Sequence, residues 1–344
     1  MLGVLFKHYD LWTDLTNVKG RTRTGVIKNR STATRAKMSS PPSQLINTFG
    51  QDLKRRYGQR LHKIAIHAGF TCPNRDGSKG RGGCTFCNNV SFSPNARSEP
   101  SVVSQIAAGR EVIRRRTGAQ KFIAYFQAYT NTYADPVHLD QLYRQALAED
   151  DVVGLAIGTR PDCVPDAVLD LLAGYRDQGH EIWLELVLQS AFDKTLERVN
   201  RGHNFREYAN AVYRARKRGL QVCTHLIVGL PGEGAEHARA TLDRVLELGV
   251  DGLKLHPLHV VKGTLLANQW RHGEYQPWSL EDYQETAVDL IEATPPEIIY
   301  HRITGTASAK VLLAPPWCQH KWQVIDGILD RLRSRGTRQG SARP

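Results

Sequence analysis

Between residues 63 and 256, short apolar runs alternate six times with stretches of helical period, and this alternation limits the possible folds more than any other feature of the chain. The apolar runs are 63–67, 122–126, 152–157, 182–187, 222–228 and 252–256. Each has the length and apolar character of a buried strand. Between them, apolar residues recur on one helical face: Val102, Ile106 and Ile113 behind the capping residue Ser101, then Leu139, Leu142, Tyr143, Ala146 and Leu147, then Leu242, Val245 and Leu246. Gly179, Gly219 and Gly249 stand where helix C-caps are needed. Alternation at this spacing predicts parallel βαβ units. No G-x-G-x-x-G follows the first strand, so an α/β partial barrel is expected rather than a dinucleotide-binding sheet. A helix at 43–57 precedes the first strand. A helix near 280–291, a strand at 298–301 and a helix near 324–332 are expected to close one end.

Directly after the first strand stands CPNRDGSKGRGGCTFC, residues 72–87, which holds three of the six cysteines at C-x11-C-x2-C spacing. In a parallel barrel the site lies at the C-terminal ends of the strands. Thiolates are soft ligands that select iron–sulfur clusters, zinc or copper(I). Three of them, with no fourth nearby, would leave one iron of a [4Fe-4S] cube open to a small molecule. A zinc clip completed by a histidine such as His67 is the alternative. Cys163, Cys223 and Cys318 are scattered, which argues against a disulfide framework and for a reducing cytoplasmic setting. No apolar run approaches the roughly 20 residues of a membrane span. Lys7, Asp10 and Asp14 interrupt any signal-peptide core.

The net charge of +12 points toward nucleic acid until its placement is considered. Residues 1–37 carry +6 and residues 331–344 carry +5, which leaves +1 for 38–330. Basic ends read as solvated tails, with nucleic-acid contact as the sharper alternative. Residues 1–44 are expected to be a disordered basic extension, 45–260 the core, 261–330 a closing segment and 331–344 a disordered basic tail. Met38 is the only methionine besides Met1, and it is the expected natural start.

The words around the cysteines, GFTCPNRDG and GGCTFCN, resemble the radical S-adenosylmethionine (SAM) superfamily and, within it, the YhcC-type family allied to the elongator-catalytic-subunit-like branch. TRPD at 159–162 and the string LELVLQ…RVNRGH extend the resemblance, which runs over about 60–321. It implies a partial (β/α)6 TIM-type barrel, a [4Fe-4S] cluster on Cys72, Cys84 and Cys87, SAM as second cofactor, and a one-electron donor such as a flavodoxin or ferredoxin. It implies reductive cleavage of SAM to a 5′-deoxyadenosyl radical that acts on an unidentified substrate. Phe86 would pack beside the adenine. Gln127 and Thr130, after the second strand, would meet the SAM amino group. Arg160 would hold a carboxylate or else pair with Asp162. Glu185 and Gln189 would face SAM or substrate, Glu185 alternatively forming an internal salt bridge. Arg201 would bind the ribose or carboxylate of SAM, and Ile227 and Gly229 would edge the adenine. Lys254, His256 and His259 would line the substrate side. No catalytic residue is assigned.

Two departures stand out. The superfamily's usual spacing is C-x3-C-x2-C, and the eleven-residue insert is expected to be a flexible basic flap over the cluster mouth. His225 occupies the place of a glycine in the adenine-contacting strand. The stretches 301–305 and 314–318 match YhcC-type words without a derivable role. Fewer than ninety residues follow His256, which leaves too little chain for the acetyltransferase domain of the elongator-type relatives. A tRNA-modifying enzyme is therefore the second reading, and a non-enzymatic zinc-binding nucleic-acid module the third.

Overall fold

The computed structural model describes residues 42–88 and 101–342; Met38 and the first 41 residues lie outside it. In chain order the elements are α1 (Pro42–Leu45), α2 (Phe49–Tyr57), β1 (Leu61–Ile66), α3 (Val102–Thr117), β2 (Lys121–Phe126), α4 (Pro136–Leu147), β3 (Val152–Thr159), α5 (Asp166–Asp177), β4 (Glu181–Gln189), α6 (Asp193–Arg198), α7 (Phe205–Lys217), β5 (Gln221–Val228), α8 (Ala235–Glu247), β6 (Gly252–Pro257), β7 (Val260–Val261), α9 (Leu265–Arg271), α10 (Leu280–Ala293), β8 (Ile299–Arg302), β9 (Leu312–Ala314) and α11 (Lys321–Arg335). All six expected core strands form. Ser101 caps α3 by accepting from the Ser104 amide, and Gly179, Gly219 and Gly249 take the left-handed conformation that ends α5, α7 and α8.

The main sheet has seven parallel strands in the order β1-β2-β3-β4-β5-β6-β8. β1 and β8 are its opposite edges, yet Lys63 Nζ lies 3.0 Å from His301 Nδ1. The sheet is therefore curled into a half-barrel, as the alternation predicts. β8 does not merely close an end: it joins β6 in parallel as a seventh strand.

Side chains alternate across each strand, so one set faces the helices and the other faces inward. The outward set includes Ile64, Phe122, Leu155, Leu184 and Leu253, buried with residues such as Ile106, Leu139, Leu172, Val212 and Leu242 of the surrounding helices. At the N-terminal end of the barrel, Phe49 and Leu53 of α2 plug the interior against Leu61, Ile123, Trp183 and Ile299. Phe49 meets Trp183 edge-on with centroids 5.5 Å apart. Burying the whole indole, about 200 Å² at about 25 cal/mol/Å², gives about 5 kcal/mol toward holding this plug.

Three expectations are corrected. The helix expected at 43–57 is broken: Asn47 accepts from the Tyr300 amide and Thr48 bridges to Tyr300, so the chain must run extended before α2 begins. That break also puts α1 inside the segment expected to be disordered. The C-terminal tail is folded through Ala342. Arg335 bonds Asp289, Glu292 and Glu285 on α10, and the Gln339 side chain donates to the carbonyls of Pro295 and Ile298. The acidic face of α10 supplies the counter-charges that a solvated tail would lack.

Candidate active site

β1 delivers the chain to the cysteine loop at the C-terminal mouth of the half-barrel. The loop is tightly knit. The Arg75 and Asp76 amides donate to the Cys72 carbonyl, Lys79 and Gly80 to that of Pro73, Gly83 to that of Asn74, and Cys87 to that of Cys84. The expected flap is thus a folded element. Lys79 is held by Asp162 at 2.6 Å and Glu207 at 3.4 Å instead of hanging over the mouth.

The turn between α6 and α7 seats the loop. The Thr85 amide donates to the Val199 carbonyl at 3.0 Å. Asn74 Nδ2 donates to the Asn200 carbonyl at 2.5 Å, and Asn200 Nδ2 to the Gly83 carbonyl at 2.9 Å. Cys84 is stapled to this turn through both neighbours. Gly83 and Gly202 are required here: a Cβ on Gly83 would meet Arg75 Nε at 2.7 Å, and one on Gly202 would meet Asn74 Oδ1 at 2.9 Å. Asn74 and Asn200 were not singled out from the sequence; an Asn beside each of two motif words was the available signal.

All three loop cysteines are free thiols. Among the described residues, the one trio of His, Cys, Asp or Glu ligand atoms lying within 4.8 Å of one another is Glu185, Cys223 and His301. The three loop sulfurs are not all within 4.8 Å of one another. The donor set, three free thiols from one loop, suits a cluster with one iron left open. Two guanidinium groups attend them. Arg201 Nη1 donates to Cys84 Sγ at 3.4 Å. Arg75 Nη2 donates to the Cys87 carbonyl at 2.6 Å, which sets its charge beside the Cys87 thiol. Burial, with the Cys84 thiol beside it, pushes the Cys87 thiol up to about 11 against the pull of Arg75 and Arg201.

Around this loop lie most of the expected SAM contacts. Thr130 is buried, its amide donates to the Thr71 carbonyl, and its Oγ1 has no partner. Gln189, at the end of β4 with φ 85°, has a buried Oε1 without a partner, as does Arg201 at Nε. Gln127 is half-buried at the end of β2. Phe86 and Ile227 pack against one apolar cluster that includes Val199, Leu230 and Tyr275. Gly229 accepts from Tyr275 Oη at 2.8 Å, and a Cβ there would stand 3.3 Å from Trp278.

Two residues are committed elsewhere. Arg160 is 1% exposed and spends its guanidinium on both oxygens of Asp162 at 2.9 Å and on the Arg201 and Gly202 carbonyls. It forms the pairing with Asp162 that the sequence offered as the alternative. Burial alone would raise the Asp162 carboxyl, but Arg160 and then Lys79 outweigh it and hold the pKa at about 2.

Glu185 likewise forms the internal salt bridge. It is fully buried, with Lys63 Nζ at 2.6 Å, His225 Nε2 at 2.9 Å, His301 Nδ1 at 3.5 Å, and Lys254 on its second oxygen. Burial opposes its charge, but Lys254 and Lys63 keep its carboxyl well below the usual range. Lys254, also bonded to Tyr125 Oη, is brought down to about 8 by burial. It is buried against Glu185 and Tyr125. His256 and His259 do reach the C-terminal end of β6, half-buried, and burial brings His259 down to about 4. The Glu185–Cys223–His301 trio is no metal centre, because the Lys63 and Lys254 ammonium groups already occupy its cation positions.

A cleft of about 890 Å³ opens on the outer flank, between the insert and α7, lined by Pro73, Lys79, Tyr133, Asp162 and Glu207 among others.

A parallel half-barrel with three cysteines at its mouth, ringed by unpaired polar atoms, is the architecture of a cluster-dependent SAM enzyme. Comparison with known proteins agrees. Residues 72–245 match the family model of the radical SAM superfamily and residues 250–334 that of the radical SAM C-terminal domain. The protein YhcC of Escherichia coli K12 is 54% identical over 299 residues, covering 87% of this chain and 96% of that one. A tRNA uridine(34) acetyltransferase of Dehalococcoides mccartyi is 31% identical over 191 residues, which cover 55% of this chain and 40% of that protein. The archaeal Elp3 of Methanocaldococcus infernus superposes with a TM-score of 0.61 at 20% identity, over 81% of this chain and 64% of that one. The chain belongs to the radical SAM superfamily, and within it to the YhcC-type family related to the Elp3 branch. It is accordingly a radical SAM enzyme, of a family whose cofactors are a [4Fe-4S] cluster and SAM and whose members generally need an electron donor. No helix among the described residues is long and apolar enough to cross a membrane.

Proposed function

We propose that Cys72, Cys84 and Cys87 hold a [4Fe-4S] cluster and that the half-barrel presents SAM to it, so that a substrate loses a hydrogen atom at the mouth. The observation that carries this reading is the gathering of three free thiols with the buried, partnerless Thr130 Oγ1, Gln189 Oε1 and Arg201 Nε at one end of the barrel. Bound together, cluster and SAM supply one-electron cleavage to a 5′-deoxyadenosyl radical. The chain's own part is placement and exclusion of water. Thr130 and Gln189 offer a hydroxyl and an amide oxygen to SAM's amino group, Phe86 and Ile227 an apolar wall to its adenine. The electron comes from a flavodoxin- or ferredoxin-type donor. The six free cysteines suit a reducing cytoplasm.

The test is anaerobic reconstitution, iron and sulfide analysis, and chromatographic detection of 5′-deoxyadenosine from SAM and reductant. About four irons per chain are expected, with 5′-deoxyadenosine formation abolished by Cys84→Ala or Cys87→Ala. Wild-type protein that carries a full cluster and never cleaves SAM would refute the assignment. The likeness to a tRNA uridine(34) acetyltransferase favours tRNA as the substrate class to try first. A steep salt dependence of RNA binding, with turnover stimulated by tRNA, supports it; indifference to RNA returns the choice to small molecules or proteins.

A further inference from the structure

The cysteine loop brings in more than its ligands. Of the two guanidinium groups that attend the sulfurs, one comes from the α6–α7 turn and one from the eleven-residue insert. Arg201 Nη1 lies 3.4 Å from Cys84 Sγ, and Arg201 Nη2 is anchored on the Val187 carbonyl at 2.6 Å. Arg75 is anchored on the Cys87 carbonyl at 2.6 Å, so its charge is fixed beside the Cys87 thiol. Neither arrangement is incidental to a loose surface. Arg201 is 5% exposed. Arg75 crosses Gly83 so closely that any Cβ there would strike it. Asn74 fixes the base of the insert on Asn200 and brings a third donor to 3.9 Å from Cys84 Sγ.

Charge and hydrogen bonds at cluster sulfurs shift the reduction potential. A reduced cluster is one unit more negative than its oxidised form, so a cation fixed beside a thiolate favours reduction, most of all where it also donates to the sulfur, as Arg201 does. We infer that Arg75 and Arg201 are positioning residues that raise the reduction potential of the cluster, each through a different thiolate, and that the insert exists in part to deliver Arg75. This rests on the cluster reading above. It assigns Arg201 to the cluster rather than to the ribose or carboxylate of SAM.

The experiment uses full-length protein, reconstituted anaerobically and assayed for iron and sulfide. Potentiometric titration without SAM, followed by the paramagnetic resonance signal of the reduced cluster, compares wild type with Arg75→Met, Arg201→Met, and the two lysine variants. Each Met variant should lower the ratio of reduced to oxidised cluster at the wild-type midpoint by about tenfold, equivalent to 59 mV for one electron. The Lys variants keep the charge and should shift less. Fully loaded Met variants with the wild-type potential would overturn the inference. So would unmoved potentials together with weakened SAM binding by calorimetry, which would return Arg201 to the ligand. If a Met variant will not hold iron, the corresponding Lys variant decides; loss of iron from all four makes both arginines folding residues and also overturns it. A wild-type protein that takes up no cluster would instead sink the functional reading on which this rests.

Discussion

Glu185 lies between two ammonium groups in a dry interior, and taking away its charge leaves both of them without a counter-ion. Glu185→Gln should therefore cost about 3–5 kcal/mol in urea unfolding, as breaking a buried pair does. Glu185→Gln combined with Lys254→Met should recover part of that loss. A single substitution that unfolds at the wild-type midpoint would show that water reaches Glu185 and its two lysines. The sequence carried half of this arrangement: a Glu inside an otherwise apolar strand demands a cationic partner. It did not say which partner. Lys63 is 122 residues away in the chain, and only the curl of the sheet brings it near. Arg160 is the opposite case: TRPD holds both members of the pair two residues apart, so the pairing with Asp162 could be offered from the sequence beside the ligand role.

At the scale of elements, the insert was misread because its glycines suggested freedom. In the folded loop Gly83 makes room for Arg75, and Gly80 stands where a Cβ would meet Asn74 Oδ1 at 2.5 Å. These glycines serve close packing as much as flexibility. Excising residues 76–81 should lower the iron retained after reconstitution severalfold, measured by iron and sulfide assay. Full iron content with lost turnover would restore the flap. The C-terminal tail was misread for a related reason. Basic residues at a chain end look solvated until Glu285, Asp289 and Glu292 are placed on one face of α10, at the spacing that an approaching arginine can span. The place of the three cysteines after the first strand, by contrast, could be read without any long-range contact.

For the whole molecule, alternation alone fixed six strands and their parallel order, since short crossovers place sequential strands side by side. The seventh strand, expected at 298–301, could not be placed in the sheet that way, because more than thirty residues outside the βα rhythm separate it from β6. The last residues of the described chain close the structure around it. The Gln339 amide donates to the Leu45 carbonyl of α1, and the Gln339 side chain accepts from the Asn47 amide and donates to the Pro295 and Ile298 carbonyls between α10 and β8. Ending the chain at Arg335 removes these bonds, at about 1 kcal/mol each. It should lower the thermal midpoint by several degrees; an unchanged midpoint would make the tail an ornament.

The break between α1 and α2 has one more consequence. A half-barrel, unlike a closed one, leaves two strand edges that invite another chain to pair. At β8 that invitation is declined from within. Asn47 and Thr48 lie along Tyr300 as a stub of extended chain, spending on the edge the hydrogen bonds that a helix would have used for itself. The segment before the barrel thus acts as a guard against self-association as well as the stem of the plug.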